Sequence, residues 1–307
     1  MNTTQFIQAV ERHISAATYQ PRFSVDDILA IASEEQRITV VPAIKSLAED
    51  YFVVQSGQVA TPGVPLIDIP TRVVGRNVRM ASFSPDDGQT WRTIPRLSID
   101  ESSGATGTQQ TGSPQFILFY DDQIRLIPTP DRAYQIRLWI EMRPSELVQT
   151  AYTATVNAAV AASATVPVET VPPGFLAGVL CDVTTAQGAH RIVSLDNAVV
   201  SSSVSQVVVT SALTAPIGSS VSLAGQTSLI QMPAEAVDCL VFATGLRMLE
   251  AQSIGEHADR MKALLDRAMN AMTLALKNRD INSLPKAKPS GLFRGGRSST
   301  GFGQFRI

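Results

Sequence analysis

The stretch Glu141–Val166, EMRPSELVQTAYTATVNAAVAASATV, separates two kinds of surface. Up to Glu146 charged residues occur at an ordinary density. Between Val148 and Ile230 the only Asp, Glu, Lys or Arg residues are Glu169, Asp182, Arg191 and Asp196. This segment is dense in Ala, Val, Ser and Thr. VSQVVVTSALT and SSVSLAG have strand composition, punctuated by Pro172-Pro173-Gly174, Gly188 and Gly218. The expectation for 148–230 is a small antiparallel barrel or sandwich with Ser and Thr at its exposed positions. Such a surface is poorly soluble alone and well suited to cover by identical neighbours. The drop in charge therefore marks a module boundary.

On the N-terminal side of that boundary, residues 51–142 have strand chemistry. RVVGRNVRMASF and TWRTIPRLSI flank SPDDG, a turn sequence ending in Asp-Gly, and predict a hairpin. FILFYDDQIRLIPTP and AYQIRLWIEMRP predict a second hairpin. Its first strand can itself turn at Asp121-Asp122, and Pro128-Thr129-Pro130 leads into the second. ESSGATGTQQTGSP, 101–114, has almost no apolar residue and reads as a mobile loop.

The two ends of this arrangement are helical. Phe6, Ile7, Val10 and Ile14 recur at helical spacing, Ser24 and Asp27 form a capping-box pattern, and Pro42 suits a first turn. Three short helices joined by turns are predicted there. Beyond the low-charge segment, Pro233 suits an N1 position and Ser253-Ile254-Gly255 is a stop. Met261, Leu264, Leu265, Ala268, Met272 and Leu276 make one stripe on a following helix. The predicted fold class is α+β: a helical body (N-terminal helices plus a C-terminal helical hairpin) with antiparallel β hairpins and an inserted small β barrel or sandwich. The body comprises 1–147 and 231–280, the module 148–230, and 281–307 a flexible basic C-terminal arm. After Asp280 there is no acidic residue. Lys286, Lys288, Arg294, Arg297 and Arg306 alternate with Gly, Ser, Pro and with Phe293, Phe302 and Phe305. Twenty-seven residues extend to at most ~90 Å.

A chain of 307 residues with net charge −2 is long enough for two domains and too balanced for its total charge to name a partner. No run of ~18 apolar residues predicts a membrane helix, and the first residues read as a helix rather than a secretory signal. Cys181 and Cys239 lie far apart without a CxxC or a nearby His. They predict buried thiols in a chain made in a reducing cytoplasm, with no metal and no cofactor. SPDDGQTW, Ser84–Trp91, fits the Asp-box turn of sialidase-like propellers. It occurs once, so Asp86, Gly88 and Trp91 are read as a structural hairpin turn. His13, His190 and His257 show no catalytic or metal-binding spacing. Asp26-Asp27, Asp86-Asp87 and Asp121-Asp122 suit a helix start and turns. The glycines of GLFRGGRSSTGFG lack the G-K-[ST] ending of a phosphate loop. No enzymatic site emerges.

IPTR (Ile69–Arg72), GRNVR (Gly75–Arg79), IRLIPTP (Ile124–Pro130) and RPSELV (Arg143–Val148), in this order of parts, resemble the head-to-tail adaptor (connector, neck) proteins of tailed bacteriophages. The resemblance implies a non-enzymatic virion protein made in the host bacterial cytoplasm. It implies a homo-oligomeric ring, commonly of twelve copies, docked under the portal protein. The ring would extend the channel for double-stranded DNA, bound without sequence specificity, and attach tail or nozzle proteins. No membrane is involved. The arm is then the portal-binding element, with Phe293, Phe302 and Phe305 as anchors and the five basic residues orienting it. A tail-associated receptor or carbohydrate-binding protein using 148–230 is the alternative.

Overall fold

The computed structural model describes residues 1–14, 23–70, 72–98, 110–120, 123–187 and 191–281. Helices α1 (Thr3–Ile14), α2 (Val25–Glu35) and α3 (Val41–Leu47) pack with α4 (Ala234–Ala251) and α5 (Gly255–Ile281) around one core. Phe6, Val10, Leu29, Ile44, Leu240 and Met272 lie within it. Ser24 caps α2: its hydroxyl accepts the Asp27 amide at 3.1 Å while the Asp27 carboxylate accepts the Ser24 amide at 2.9 Å. Pro233 is the N-cap of α4 rather than its first helical residue.

The second and third helices are not joined by a turn as predicted. They run on through a π-helical segment, Gln36–Val40, in which the Val41 amide bonds to the Gln36 carbonyl. Pro42 has no amide to donate, and its ring would press on the carbonyl four residues back in a regular helix. The wider π turn relieves that clash. It also keeps Ala32, Gln36, Val40 and Ile44 buried on one side of the rod.

Strands β1 (Val53–Ala60), β2 (Leu66–Asp68), β3 (Val73–Ser84), β4 (Arg92–Ile94), β5 (Thr111–Gly112), β6 (Phe116–Tyr120), β7 (Gln123–Ile127), β8 (Thr129–Pro130) and β9 (Tyr134–Met142) surround a second core. The first hairpin forms as β3 and β4. The second does not form as predicted. FILFY pairs with QIRLI, as β6 with β7, and β9 leaves to sit between β1 and β3 in a sheet of order β1-β9-β3-β4. The reason is burial. Tyr134, Ile136, Leu138 and Ile140 all point inward, and a central strand covers that face on both sides.

A third core lies in 154–223. Strands β10 (Glu146–Leu147), β11 (Ala154–Thr155), β12 (Val160–Pro167), β13 (Leu180–Thr184), β14 (Ile192–Ser203), β15 (Gln206–Ala215), β16 (Ser220–Leu223) and β17 (Gln226–Thr227) carry this part of the chain. Six of them make one sheet, β11-β16-β13-β14-β15-β12. The predicted barrel is not formed. β11 has two residues, too few to ladder with β12, and the two ends of the sheet meet at a single bridge, Val156–Val168. The α+β fold class with a helical body is likewise corrected. The molecule is mostly β, 39% strand against 32% helix, and the sheets have cores of their own rather than decorating a helical one.

Candidate functional site

The third core is tied to the rest of the molecule by one buried network. Arg72, just ahead of β3, places a guanidinium nitrogen against Asp182 Oδ2 on β13. Its other terminal nitrogen donates to Ser145 Oγ at 2.7 Å and to the Arg143 carbonyl at 3.4 Å. The Arg72 side chain is 12% exposed and that of Asp182 0%. Asp182 also accepts the Asp196 amide at 2.9 Å on Oδ1 and the Gly225 amide at 2.9 Å on Oδ2. Gly225 has φ +86°, a conformation that glycine adopts without strain. The Ser145 amide donates to Gln231 Oε1 at 2.9 Å, and its carbonyl accepts from Gln36 Nε2 at 3.2 Å. Residues from all three cores thus converge on the Arg143–Leu147 connection.

The charge pattern of the sequence takes its meaning here. Asp182 is consumed by Arg72. Asp196 is half-buried beside it, and burial followed by the nearby Asp182 carboxylate raises its pKa. The Arg191 guanidinium stands 5.4 Å from the Tyr51 ring centroid. Three of the four charges in 148–230 therefore face the body, and Glu169 shares a recess with Thr150, Ala151 and Thr153. The outer face of β14, β15 and β12 is left to uncharged residues such as Val200, Thr210, Ala212 and Thr165. Leu176 (69% exposed) and Val204 (80%) extend this uncharged surface. Of the aromatic residues in the segment, Phe175 is buried and Tyr152 exposed. A stacked sugar platform is not built from that pair.

On the body, Lys45 pairs with the buried Glu141, joining α3 to β9. Arg79 bonds Asp50 at 2.6 Å. Beside this lies a groove of about 800 Å³ between α2–α3 and Met142–Val148, with Leu29, Val41 and Leu147 on its walls and Glu34, Arg37 and Arg143 at its rim.

The residues of SPDDGQTW form a closed turn. Asp86 accepts the Thr90 amide and hydroxyl, both at 2.7 Å, and the Ser84 hydroxyl at 2.8 Å. These bonds, those from Thr90 first, hold its pKa down at about 2. Gly88, at φ +97°, donates its amide to Ser84 Oγ at 2.7 Å. Trp91 Nε1 donates to the Gly88 carbonyl at 3.1 Å, and Arg137 covers the indole at 3.6 Å. The side chains of Ser84, Asp86, Thr90 and Trp91 are thus bonded within the turn, while Asp87 and Gln89 are exposed.

The remaining candidates are scattered. Asp27 caps α2 and Asp26 accepts from Gln149 Nε2 at 2.7 Å. Cys181 donates to the Asn197 carbonyl, and burial pushes its thiol up to about 12. Cys239 is pushed to about 11. Among the described residues no group of His, Cys, Asp and Glu is disposed to hold a metal, and no helix is long and apolar enough to cross a membrane. Asp121-Asp122, His190, residues 101–109 and the arm residues Lys286, Lys288, Phe293, Arg294, Arg297, Phe302, Phe305 and Arg306 lie outside the described residues. The Arg72–Asp182 pair was missed from the sequence. Its only trace there is a lone acid in an uncharged stretch, which asks for a distant cation.

No protein-family model matches the chain, and no match to a curated protein reaches significance.

Proposed function

We propose that the chain is a structural virion protein: a ring-forming head-to-tail adaptor that docks under a portal protein, extends the DNA channel and offers a surface to tail or nozzle proteins. It catalyses no reaction in this reading. The observation that supports it most is the placement of charge in 148–230. The few charges are spent on the junction with the body, and the opposite sheet face is uncharged, as suits a surface buried between copies. Head-to-tail contacts that close on themselves give a ring. Two of the adaptor-like motifs, IPTR and RPSELV, supply Arg72, Arg143 and Ser145 to the network that fixes the module on the body. The basic, Phe-bearing arm, 281–307, is assigned to the portal. Contacts from many arms add up to an affinity that one arm lacks.

The test is to mix purified portal with the full chain and with a chain ending at 280. The full chain should co-sediment with portal as a ring and the shortened chain should not. Undiminished binding by the shortened chain removes the arm from the mechanism. A full chain that neither forms rings nor binds portal overturns the reading.

A further inference from the structure

We propose that the groove between the α2–α3 rod and Met142–Val148 binds an amphipathic helix of a protein partner, one that carries a basic and an acidic residue a turn apart beside an apolar stripe. The site is independent of the adaptor reading and needs only that the chain has a protein partner.

Hydrogen bonds fix how the two walls lie. Gln149 Nε2 donates to Asp26 at 2.7 Å, the Leu147 amide to Ser33 Oγ at 2.9 Å, and Gln36 Nε2 to the Ser145 carbonyl at 3.2 Å. Further along, Lys45 pairs with Glu141. The walls therefore run in opposite directions. This register sets Glu34 level with Glu146, and Arg37 level with Arg143. All four are exposed and line the groove. An acidic band thus crosses the groove, followed by a basic one. Among the described residues none of these four is in an ion pair, whereas Lys45 beside the basic band is engaged by Glu141. Leu29, Val41, Pro42 and Leu147 add the apolar part of the walls.

The backbone of the second wall decides what kind of segment fits. The amides of Arg143, Ser145, Glu146, Leu147 and Val148 are spent on Arg72, Gln231, Gly225, Ser33 and Thr227. Pro144 has no amide to give. A strand laid along this wall would meet no backbone donor, so strand addition is not the mode of binding. A helix satisfies its own backbone and needs only side-chain contacts. The spacing of the bands agrees. From Glu34 to Arg37 the rod rises ~4.5 Å, and from Arg143 to Glu146 the chain spans at most ~11 Å. Side chains four positions apart on a helix are separated by a rise of ~6 Å, between these limits. A cation on the occupant then meets Glu34 and Glu146 while an anion one turn on meets Arg37 and Arg143. A helix with charges of one sign satisfies one band and is repelled by the other.

The probe is a capped peptide of Ala and Leu, about eighteen residues long so that it is helical, with one Lys and one Glu four positions apart on the flank of its Leu stripe. Sister peptides carry two Lys or two Glu at the same places. Fluorescence anisotropy of each peptide is read against the full chain at low salt. The Lys/Glu peptide should bind saturably and about tenfold more tightly than either sister, since exposed pairs are individually modest and several act together. Glu34→Lys combined with Glu146→Lys turns both bands basic. It should weaken the Lys/Glu peptide about tenfold and tighten the Glu/Glu peptide, a gain that also shows the variant to be folded. The absence of saturable binding by the Lys/Glu peptide overturns the proposal. Equal affinity for the three peptides does so too, as does an affinity for the Lys/Glu peptide that the double variant leaves unchanged.

Discussion

Replacing Arg72 by Met leaves Asp182, 0% exposed, with two backbone amides and no cation. Removing one partner of a buried pair costs about 3–5 kcal/mol, because a charge stays buried without its counter-charge. At 1.4 kcal/mol per tenfold, that is a rise of roughly 10² to 10³·⁵ in the population of molecules in which the third core has opened. The chain contains its own reporters. Cys181, next to Asp182, belongs to the third core, and Cys239 belongs to the helical one. Both thiols are buried, with pKa raised to about 12 and about 11, so the native protein should react with iodoacetamide at neither position at pH 8. Opening restores an ordinary thiol. Alkylation at each cysteine, followed by mass spectrometry, therefore reads the opening of each core separately. In Arg72→Met the Cys181 rate should rise by roughly the factor above while the Cys239 rate changes less than about tenfold. Adding Asp182→Asn should recover part of the loss, since no charge is then left buried. A Cys181 rate that rises less than about tenfold refutes the argument that the pair holds the third core in place. So does an equal rise at both cysteines, which would mean that the cores open as one.

Three further outcomes are expected. Asp86 has a folded pKa of about 2, below the unfolded 3.8, so its contribution to the turn is complete above pH ~4 and lost as pH falls through ~2; the Thr90 amide resonance should follow that titration and be flat in Asp86→Asn. Gly88→Ala puts a side chain at φ +97° and a Cβ 2.8 Å from Gln135 Oε1, and should cost about 1–2 kcal/mol, read as a lower urea midpoint in the fluorescence of Trp91 and Trp139. Val200→Lys, on the uncharged sheet face at a position 54% exposed, should leave the melting temperature alone and weaken self-association by analytical ultracentrifugation, whereas unchanged association would place the contact between copies on another face.

What could be read in the sequence was whatever local chemistry determines. The Ser24–Asp27 cap, the turn at Ser84–Trp91 and the Met261–Leu276 stripe depend on residues a few positions apart, and the structure places each where its pattern points. The fate of β9 was not local. Its alternation is equally suited to a hairpin with β7, and only the competing burial against β1 and β3 decides. The same holds for Arg72 and Asp182, which lie 110 positions apart, and for the groove that sets Glu34 level with Glu146. Neither half of such a pair has a neighbour in sequence that betrays the other. The class assignment failed for a related reason: short strands in polar, glycine-punctuated segments such as Val53–Ala60 contribute to sheets whose size is settled by partners elsewhere.

The π turn at Gln36–Val40 means that this rod contains one residue more than its packing needs. In a helix of 3.6 residues per turn, each residue advances the face by about 100°. Excising the exposed Ile38 would thus let the rod rewind as an ordinary α-helix with Val40 and Ile44 still turned inward, but would leave Pro42 driven into the preceding turn. Surplus residue and proline are complementary faults. A lineage could shed both together and keep a straight helix, while losing only the extra residue would bend it.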